Sequence, residues 1–530
     1  MRTSATHPIQ IAEIPCQQGI IGITLCPGKK GTSLFGADWD RDLEVDLDAV
    51  EKWRATIVVS LIENFEFEHL GVEDLGQSVI TRGMEWIHAP IQDVGVPNDN
   101  FETRWAVLGH RIRSALINGD RVLIHCRGGL GRAGLVAARL LVEFGLSPDA
   151  AIQQVRGQRL GAIETLEQES YVKSVRQLNH DHQIYDRILG CLFGGAVGDA
   201  FGYAIEFDSL ARIQSRYGAC GLLEPELENG HLIVSDDTQM TMFVADALTK
   251  DGPPLENIQK GYIDWYRTQN DTQSALEEGL LAHKALWALR APGNTCLTAI
   301  GSGGWGTTSS PINNSKGCGG VMRVAPVGFN LSVSDAQTYE LGAQSAALTH
   351  GHPLGYISSG VMAVLIRNLI ASNDHLSALL KAAEHLPDDV YGTSMRSTLA
   401  DAIEKLHDTI NGEDNRSEIS NSISNGDLGE GWVAEEALAI GLHAFMRSYD
   451  AAKFEGYEPV DAFKIGIRLS ANHSGDSDST ASITGQLFGA QYGLRALPWD
   501  WIVPLDVFEA LCDLAHRLVA FASPQSAHAA

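Results

Sequence analysis

The sequence predicts two domains, an N-terminal α/β domain and a C-terminal all-α domain. Three observations carry this reading. The chain has 530 residues, more than the roughly 250–300 at which a single hydrophobic core stops growing. Its first 175 or so residues alternate strand-like and helix-like segments, as a sheet with crossover helices requires. From about residue 187 the pattern changes to long helical stretches rich in Gly and Ala, "RILGCLFGGAVGDAFG" and "TASITGQLFGAQYGLRAL" among them. Small residues at such spacing let helices pack closely in an all-α core. We place the domains at 1–178 and 187–522, with the polar 177–186 as linker, 411–431 as an exposed loop and the Ala-rich 523–530 as a disordered tail.

In chain order, "ATIVVSLIE" (55–63) and "EWIHAPI" (85–91) are short apolar runs rich in Val and Ile and are predicted strands. Next, Phe101, Trp105, Leu108, Ile112 and Leu116 recur every three or four residues, which marks an amphipathic helix stopped at Asn118-Gly119. "RVLIHC" (121–126) is a further apolar strand, and "AGLVAARLLVEFG" a helix that begins where a glycine-rich loop ends.

Composition narrows the function classes. With 44% hydrophobic and 20% charged residues the chain has the make-up of a globular protein. A net charge of −27 repels phosphate backbones and anionic headgroups. Non-specific nucleic-acid binding and membrane-surface binding are therefore not expected, whereas a local basic pocket for one phosphate remains compatible. The N-terminus lacks the apolar run of a secretory signal, and the longest apolar stretch, around "GYISSGVMAVLI", is interrupted at Arg367 before it reaches membrane-spanning length. Eight scattered cysteines with no CxxC pair suit a reducing compartment. We expect a cytoplasmic protein.

The segment HCRGGLGRAG (125–134) carries chemistry. A thiol at the end of a strand, followed by backbone N–H groups and a helix N-terminus, lies in an electropositive nest that favours thiolate. The N–H groups around Gly128, Gly129 and Gly131 can cradle a phosphate dianion, and Arg132, six residues after Cys126, can close on it with a planar fork. Phosphate-ester cleavage through a phosphocysteine also needs an acid for the leaving oxygen, and Asp93 in the loop "IQDVGVP" supplies one. A lone Cys is more often a small buried side chain, and a metal half-site would need a second Cys/His cluster. These residues, with "GAIETLEQESYV" (161–172), resemble the cysteine-dependent dual-specificity phosphatases of the kinase-associated type across about residues 20–175. The resemblance implies that Cys126 is the nucleophile, Arg132 the phosphate binder and Asp93 the general acid, acting on a phosphorylated substrate. The sequence departs from that family at Ala133, where a Ser or Thr hydroxyl usually assists thiolate departure. An alternative is a phosphate-binding module with weak catalysis.

Two further segments, "VSDDTQMTMFVADAL" (234–248) and "HSGDSDSTASITGQ" (473–486), each set paired carboxylates beside hydroxyls at the start of an apolar helix. Each alone is an N-cap. Together they hold four carboxylates, more than two caps require, and oxygen donors suit Mg²⁺, with Mn²⁺ possible. With "GDAFGYAIEF", "KGCGGVMRVAPVG", "THGHP" and "GWVAEEALAIGLHAF" they resemble, in order and spacing, the ADP-ribosylglycohydrolase family over about 187–522. That resemblance implies an all-α fold with two Mg²⁺ ions on Ser235, Asp236, Asp237, Asp476, Asp478 and Ser479. It also implies a catalytic carboxylate at Glu206, and substrate contacts at Gly317, Gly319, Gly320 and His350. The expected substrate is an ADP-ribosylated protein or an ADP-ribose derivative, cleaved at its glycosidic bond. The chain is thus read as a bifunctional hydrolase, with a non-catalytic ADP-ribose-binding scaffold as the remaining alternative.

Overall fold

A computed structural model describes residues 1–32, 36–372, 374–404, 406 and 427–522. The expected tail at 523–530 and most of the expected loop at 411–431 lie outside the described residues. The chain divides into two compact units, Met1–Asn179 and His180–Ala530, and all eight cysteines are free thiols.

The first unit is built on five strands: β1 (Ala12–Cys16), β2 (Gly19–Leu25), β3 (Ile57–Ser60), β4 (Glu85–His88) and β5 (Arg121–Cys126). Their spatial order is β1-β2-β5-β3-β4; β1 is antiparallel to β2 and the remaining pairs are parallel. The register sets Leu25 opposite Cys126 and Ser60 opposite His125. Three parallel strands therefore end beside the thiol, at the carboxyl edge where open α/β sheets bind ligands. The helices used below are α1 (Asn64–Leu70), α2 (Asp99–Ile117) and α3 (Gly131–Glu143). The predicted stripe of α2 is buried along its whole length, and the helix ends at Asn118 with Gly119 at φ +91°. The β1–β2 hairpin was not among the predicted strands.

In the second unit the principal helices are α4 (His182–Tyr203), α5 (Asp236–Leu248), α6 (Pro353–Ser372), α7 (Ala434–Phe454) and α8 (Ser477–Tyr492). Among the described residues this unit has isolated bridges but no strand. The expected linker runs into α4, because Asp181 accepts hydrogen bonds from the N–H groups of Gln183 and Ile184 and starts the helix there. Helix α6 continues through Arg367 to a length of 20 residues and passes a length-and-hydropathy test for a membrane span, but 83% of its apolar window is buried within the protein. It is a core helix.

The α4–α8 contact positions the site. Gly190, Gly194, Gly198 and Gly202 recur every four residues on one face of α4, and side-chain carbon on any of them would overlap a carbonyl oxygen of Gly489, Gly485, Ala481 or Ser477 respectively. Gly485 and Gly489 return the constraint against Gly194 and Gly190. The two helices meet backbone to backbone. Substituting Gly198 or Gly485 by Ala is expected to cost about 1–3 kcal/mol or more through overpacking, read as a lowered thermal midpoint. Gly157→Ala, in an exposed helical position where a methyl meets nothing within 4 Å, should instead stabilise by about 0.5–1 kcal/mol.

Candidate functional site

In the first unit the phosphate loop runs from Cys126, at the buried end of β5, to the start of α3. Gly129 has φ +67°, and a side chain there would collide with the backbone of Thr24 and Leu25. Only glycine fits. Helix α3 has no side-chain cap at Leu130, so its first N–H groups are left for a ligand. The Gly131 N–H differs, donating to Glu164 Oε2 at 2.8 Å. His125 is buried and bonds through Nε2 to Ser60 Oγ at 2.7 Å; burial pushes it down to about 3, so the imidazole is neutral.

Arg132 is fully enclosed and oriented by a residue the sequence did not single out. Glu66 on α1 takes a bidentate fork from Arg132, at 2.6 Å to Nη1 and 3.0 Å to Nη2, and the Ile91 carbonyl accepts from Nη1 at 3.1 Å. Burial is the largest single influence and opposes ionisation of Glu66, but the Arg132 hydrogen bond, a backbone hydrogen bond at Glu63 and the charges of Arg132 and Arg127 together outweigh it and hold the carboxyl below its ordinary range. Asp93 pairs with Arg132 Nη2 at 2.8 Å while its own side chain is 48% exposed. The loop around it is conformationally unusual, since the β-branched Val94 sits at φ +62°. Cys126, Arg132 and the acid loop therefore converge, as the chemistry requires. Ala133 lies buried in the first turn of α3 and offers no hydroxyl.

In the second unit two helix N-termini face each other. Ser235 caps α5 by accepting from Asp237 N–H at 3.2 Å, and Asp476 caps α8 by accepting from Ser479 N–H at 3.4 Å. Asp478 Oδ1 also accepts from that N–H, at 2.8 Å, and Ser479 Oγ joins the clusters by donating to Asp237 Oδ2 at 2.8 Å. Asp236 accepts from Gly293 N–H at 3.3 Å. Glu206 follows α4, and its carboxylate lies with those of Asp476 and Asp478 in a buried group whose ligand atoms are all within 4.8 Å of one another. Among the described residues Glu206 Oε2 is buried without a hydrogen-bond partner.

Two residues join the site that sequence reasoning passed over. Asp199 on α4 accepts from the N–H groups of Ser235 at 2.9 Å and Thr238 at 3.0 Å, tying α4 to the start of α5. Cys318 donates its thiol proton to Asp476 Oδ2 at 2.9 Å. The segment 317–320 has two N–H groups already engaged within the protein, that of Gly317 with Ser315 Oγ and that of Cys318 with the Trp432 carbonyl. Its glycines have packing reasons: a methyl on Gly319 would lie 2.9 Å from both Cys296 Sγ and the His350 ring, and one on Gly320 would lie 2.8 Å from Ala346. His350 bonds Thr349 Oγ1 at 2.8 Å; burial, followed by the nearby Arg323 cation, pushes it down to about 3.

Electrostatics sets the chemistry of this cluster. Burial first, and the Asp478 charge next, push the carboxyls of Asp236, Asp237 and Asp476 well above the ordinary range. The same two causes raise Asp199 to about 7 and Glu206 to about 10. Converging oxygen donors, an orphaned buried oxygen and mutual repulsion fit a hard divalent cation. A hydrolase is the class this arrangement defines, with a buried carboxylate centre in one unit and a Cys-x5-Arg loop in the other.

The comparisons agree. The family model for ADP-ribosylglycohydrolase matches residues 180–527, and that of the Swiss Army Knife DSP-PTPase phosphatase domain matches 58–177. The chain belongs to the ADP-ribosylglycohydrolase family and carries a phosphatase domain ahead of it. It is 24% identical over 335 residues to the ADP-ribosyl-[dinitrogen reductase] glycohydrolase of Rhodospirillum rubrum, spanning 61% of this chain and 92% of that protein. It is 32% identical over 177 residues to cyclin-dependent kinase inhibitor 3 of Rattus norvegicus, spanning 32% of this chain and 79% of that one. A solved ADP-ribosylglycohydrolase-related protein complex aligns at 24% identity and TM-score 0.40, over 64% of this chain and 99% of its own.

The raised carboxyls carry a pH signature. Asp199 and Glu206 bind protons more tightly folded than unfolded, so the cation-free second unit loses stability as pH rises from about 4 through about 7 and towards 10. A cation that binds only the folded state restores it, by about 2.7 kcal/mol at a hundredfold excess over Kd. The Mg²⁺- or Mn²⁺-induced rise in thermal midpoint, measured against chelator, should be larger at about pH 8 than at about pH 6. No rise at either pH would remove the cation from the picture.

Proposed function

We propose that the second unit hydrolyses the glycosidic bond joining ADP-ribose to a protein side chain or small acceptor, and that the first unit hydrolyses a phosphomonoester through Cys126. The observation that carries the first part is the buried Glu206–Asp476–Asp478 group with its partnerless Glu206 oxygen, in a chain of this family.

Ser235, Asp236, Asp237, Asp476, Asp478 and Ser479 would hold Mg²⁺ or Mn²⁺, two ions in our reading. When bound, such cations neutralise the carboxylates, orient ribose hydroxyls and make water more acidic. Asp199 fixes the ligand-bearing start of α5 by accepting two of its N–H groups. Glu206, ionised once the site carries positive charge, steers water towards the anomeric carbon and supports oxocarbenium-like charge there. The anomeric carbon–acceptor bond breaks; water gives its hydroxide to the sugar and a proton to the departing acceptor.

In the first unit a phosphate entering the loop takes Arg132 Nη2 from Asp93, which frees that carboxylate to take a proton from solvent and pass it to the leaving oxygen as Cys126 Sγ bonds to phosphorus and the phosphorus–oxygen ester bond breaks. Glu66 keeps the guanidinium plane fixed throughout. Water then attacks the phosphocysteine, giving a proton to the Asp93 carboxylate as the sulfur–phosphorus bond breaks and phosphate and thiolate are released. Ala133 favours a second reading of this unit, as a phosphate binder that turns over slowly, because no hydroxyl supports the departing thiolate.

Release of ADP-ribose from arginine- and serine-linked substrates, with and without Mg²⁺, tests the first activity. Asp476→Ala and Glu206→Gln should each lower the rate by about a hundredfold or more, and hydrolysis retained by Asp476→Ala would overturn the site. On an aryl phosphate, Cys126→Ser should fall to background and Ala133→Ser should speed phosphate release about tenfold. Wild-type turnover no faster than Cys126→Ser would leave the binding-module reading standing.

A further inference from the structure

Three consecutive carbonyl groups of the phosphate loop are capped by cations. Lys29 Nζ donates to the Arg127 carbonyl at 3.1 Å, Arg159 Nη2 to that of Gly128 at 3.3 Å, and Arg159 Nε to that of Gly129 at 3.0 Å. In a trans peptide unit, as at each of these positions, the carbonyl and the N–H after it point opposite ways. Each cap therefore turns the following N–H, of Gly128, Gly129 or Leu130, away from itself. Among the described residues none of the three donates to a protein acceptor.

Lys29 has a second peculiarity. It is 7% exposed, its Nζ lies 4.3 Å from the Trp39 ring centroid, and among the described residues no carboxylate is within ion-pair distance. Arg41 beside it is saturated, with Nε and Nη2 each 2.7 Å from an oxygen of Asp46. A buried ammonium without an anion is expensive. The turn that delivers it is nonetheless fixed: Gly28 adopts φ +71° and donates to Asp46 Oδ2 at 2.9 Å, and Arg41 N–H donates to the Lys29 carbonyl at 3.2 Å.

We propose that Lys29 is a positioning residue of the phosphate site, holding the loop's carbonyl edge together with Arg159 while its charge awaits a phosphate dianion as counter-ion. This rests on the reading of 126–132 as that site. The groups facing Lys29 are Cys26 on its own turn, Cys126 and Arg127 of the loop, and Arg41 with Trp39 across the turn. Burial pushes the ammonium down to about 8, with Cys26 the largest opposing influence and Arg127 reinforcing burial. It is charged below that pH and neutral above it, so oxyanion affinity should fall as pH rises through about 8.

The test is calorimetric binding of tungstate, a dianion across this range, to the full chain carrying Cys126→Ser, which takes the thiol out of the comparison. Affinity should drop about tenfold between about pH 7 and pH 9. Adding Lys29→Arg should keep binding tight and flatten the profile, since arginine stays charged. Adding Lys29→Met should weaken binding about tenfold at about pH 7 and also flatten it. Equal affinity of the Met variant and its parent at about pH 7, or an unflattened profile with Arg, overturns the proposal and leaves the phosphate site standing. Absence of tungstate binding in every variant overturns both.

Discussion

Helices α4 and α8 can lie against each other only because the four glycines at 190, 194, 198 and 202 lack the side chains that would keep them apart. That contact organises the second unit's chemistry. Helix α4 brings Asp199 and leads directly to Glu206, α8 begins with Asp476 and Asp478, and the missing side chains remove the distance that would otherwise separate them. The carboxylates are thus pressed together by packing, against their own repulsion. Raised proton affinity of these carboxyls and a fit for hard cations are two faces of that one compression.

The two units use helix N-termini in opposite ways. In the second unit α5 and α8 are capped by their own Ser235 and Asp476, so negative charge is built in and positive charge must be recruited. In the first, α3 starts at Leu130 with no side-chain cap, while cations hold the loop's carbonyls, so positive potential is built in and an anion must be recruited. Both follow from the same four orphan N–H groups at a helix start. What differs is whether the sequence satisfies them.

Much of this was legible in the sequence because it is local. The strand 121–126, the apolar stripe of α2, the Cys126–Arg132 spacing and the acidic helix starts at 235–237 and 476–479 are each written in a few neighbouring letters. What escaped depends on residues distant in the chain. Glu66 gains its meaning only against Arg132, Asp199 against Ser235 and Thr238, Cys318 against Asp476, and Lys29 against Arg127. The hairpin β1–β2 escaped for another reason: Pro15 and the glycines at 19 and 22 dilute its strand signal. The start of α4 was placed late because polar residues around Asp181 read equally well as linker and as cap.

Helix α6 bears on how such chains are sorted. By length and hydropathy alone it is indistinguishable from a bilayer span, yet it packs against other helices of the same unit, those of Asp335–Ala347 and His375–Glu384 foremost and α7 and α8 besides. A survey that counts apolar twenty-residue windows would file this hydrolase among integral membrane proteins. It would do so on the strength of a helix whose lipid-like surroundings are supplied by the rest of the fold.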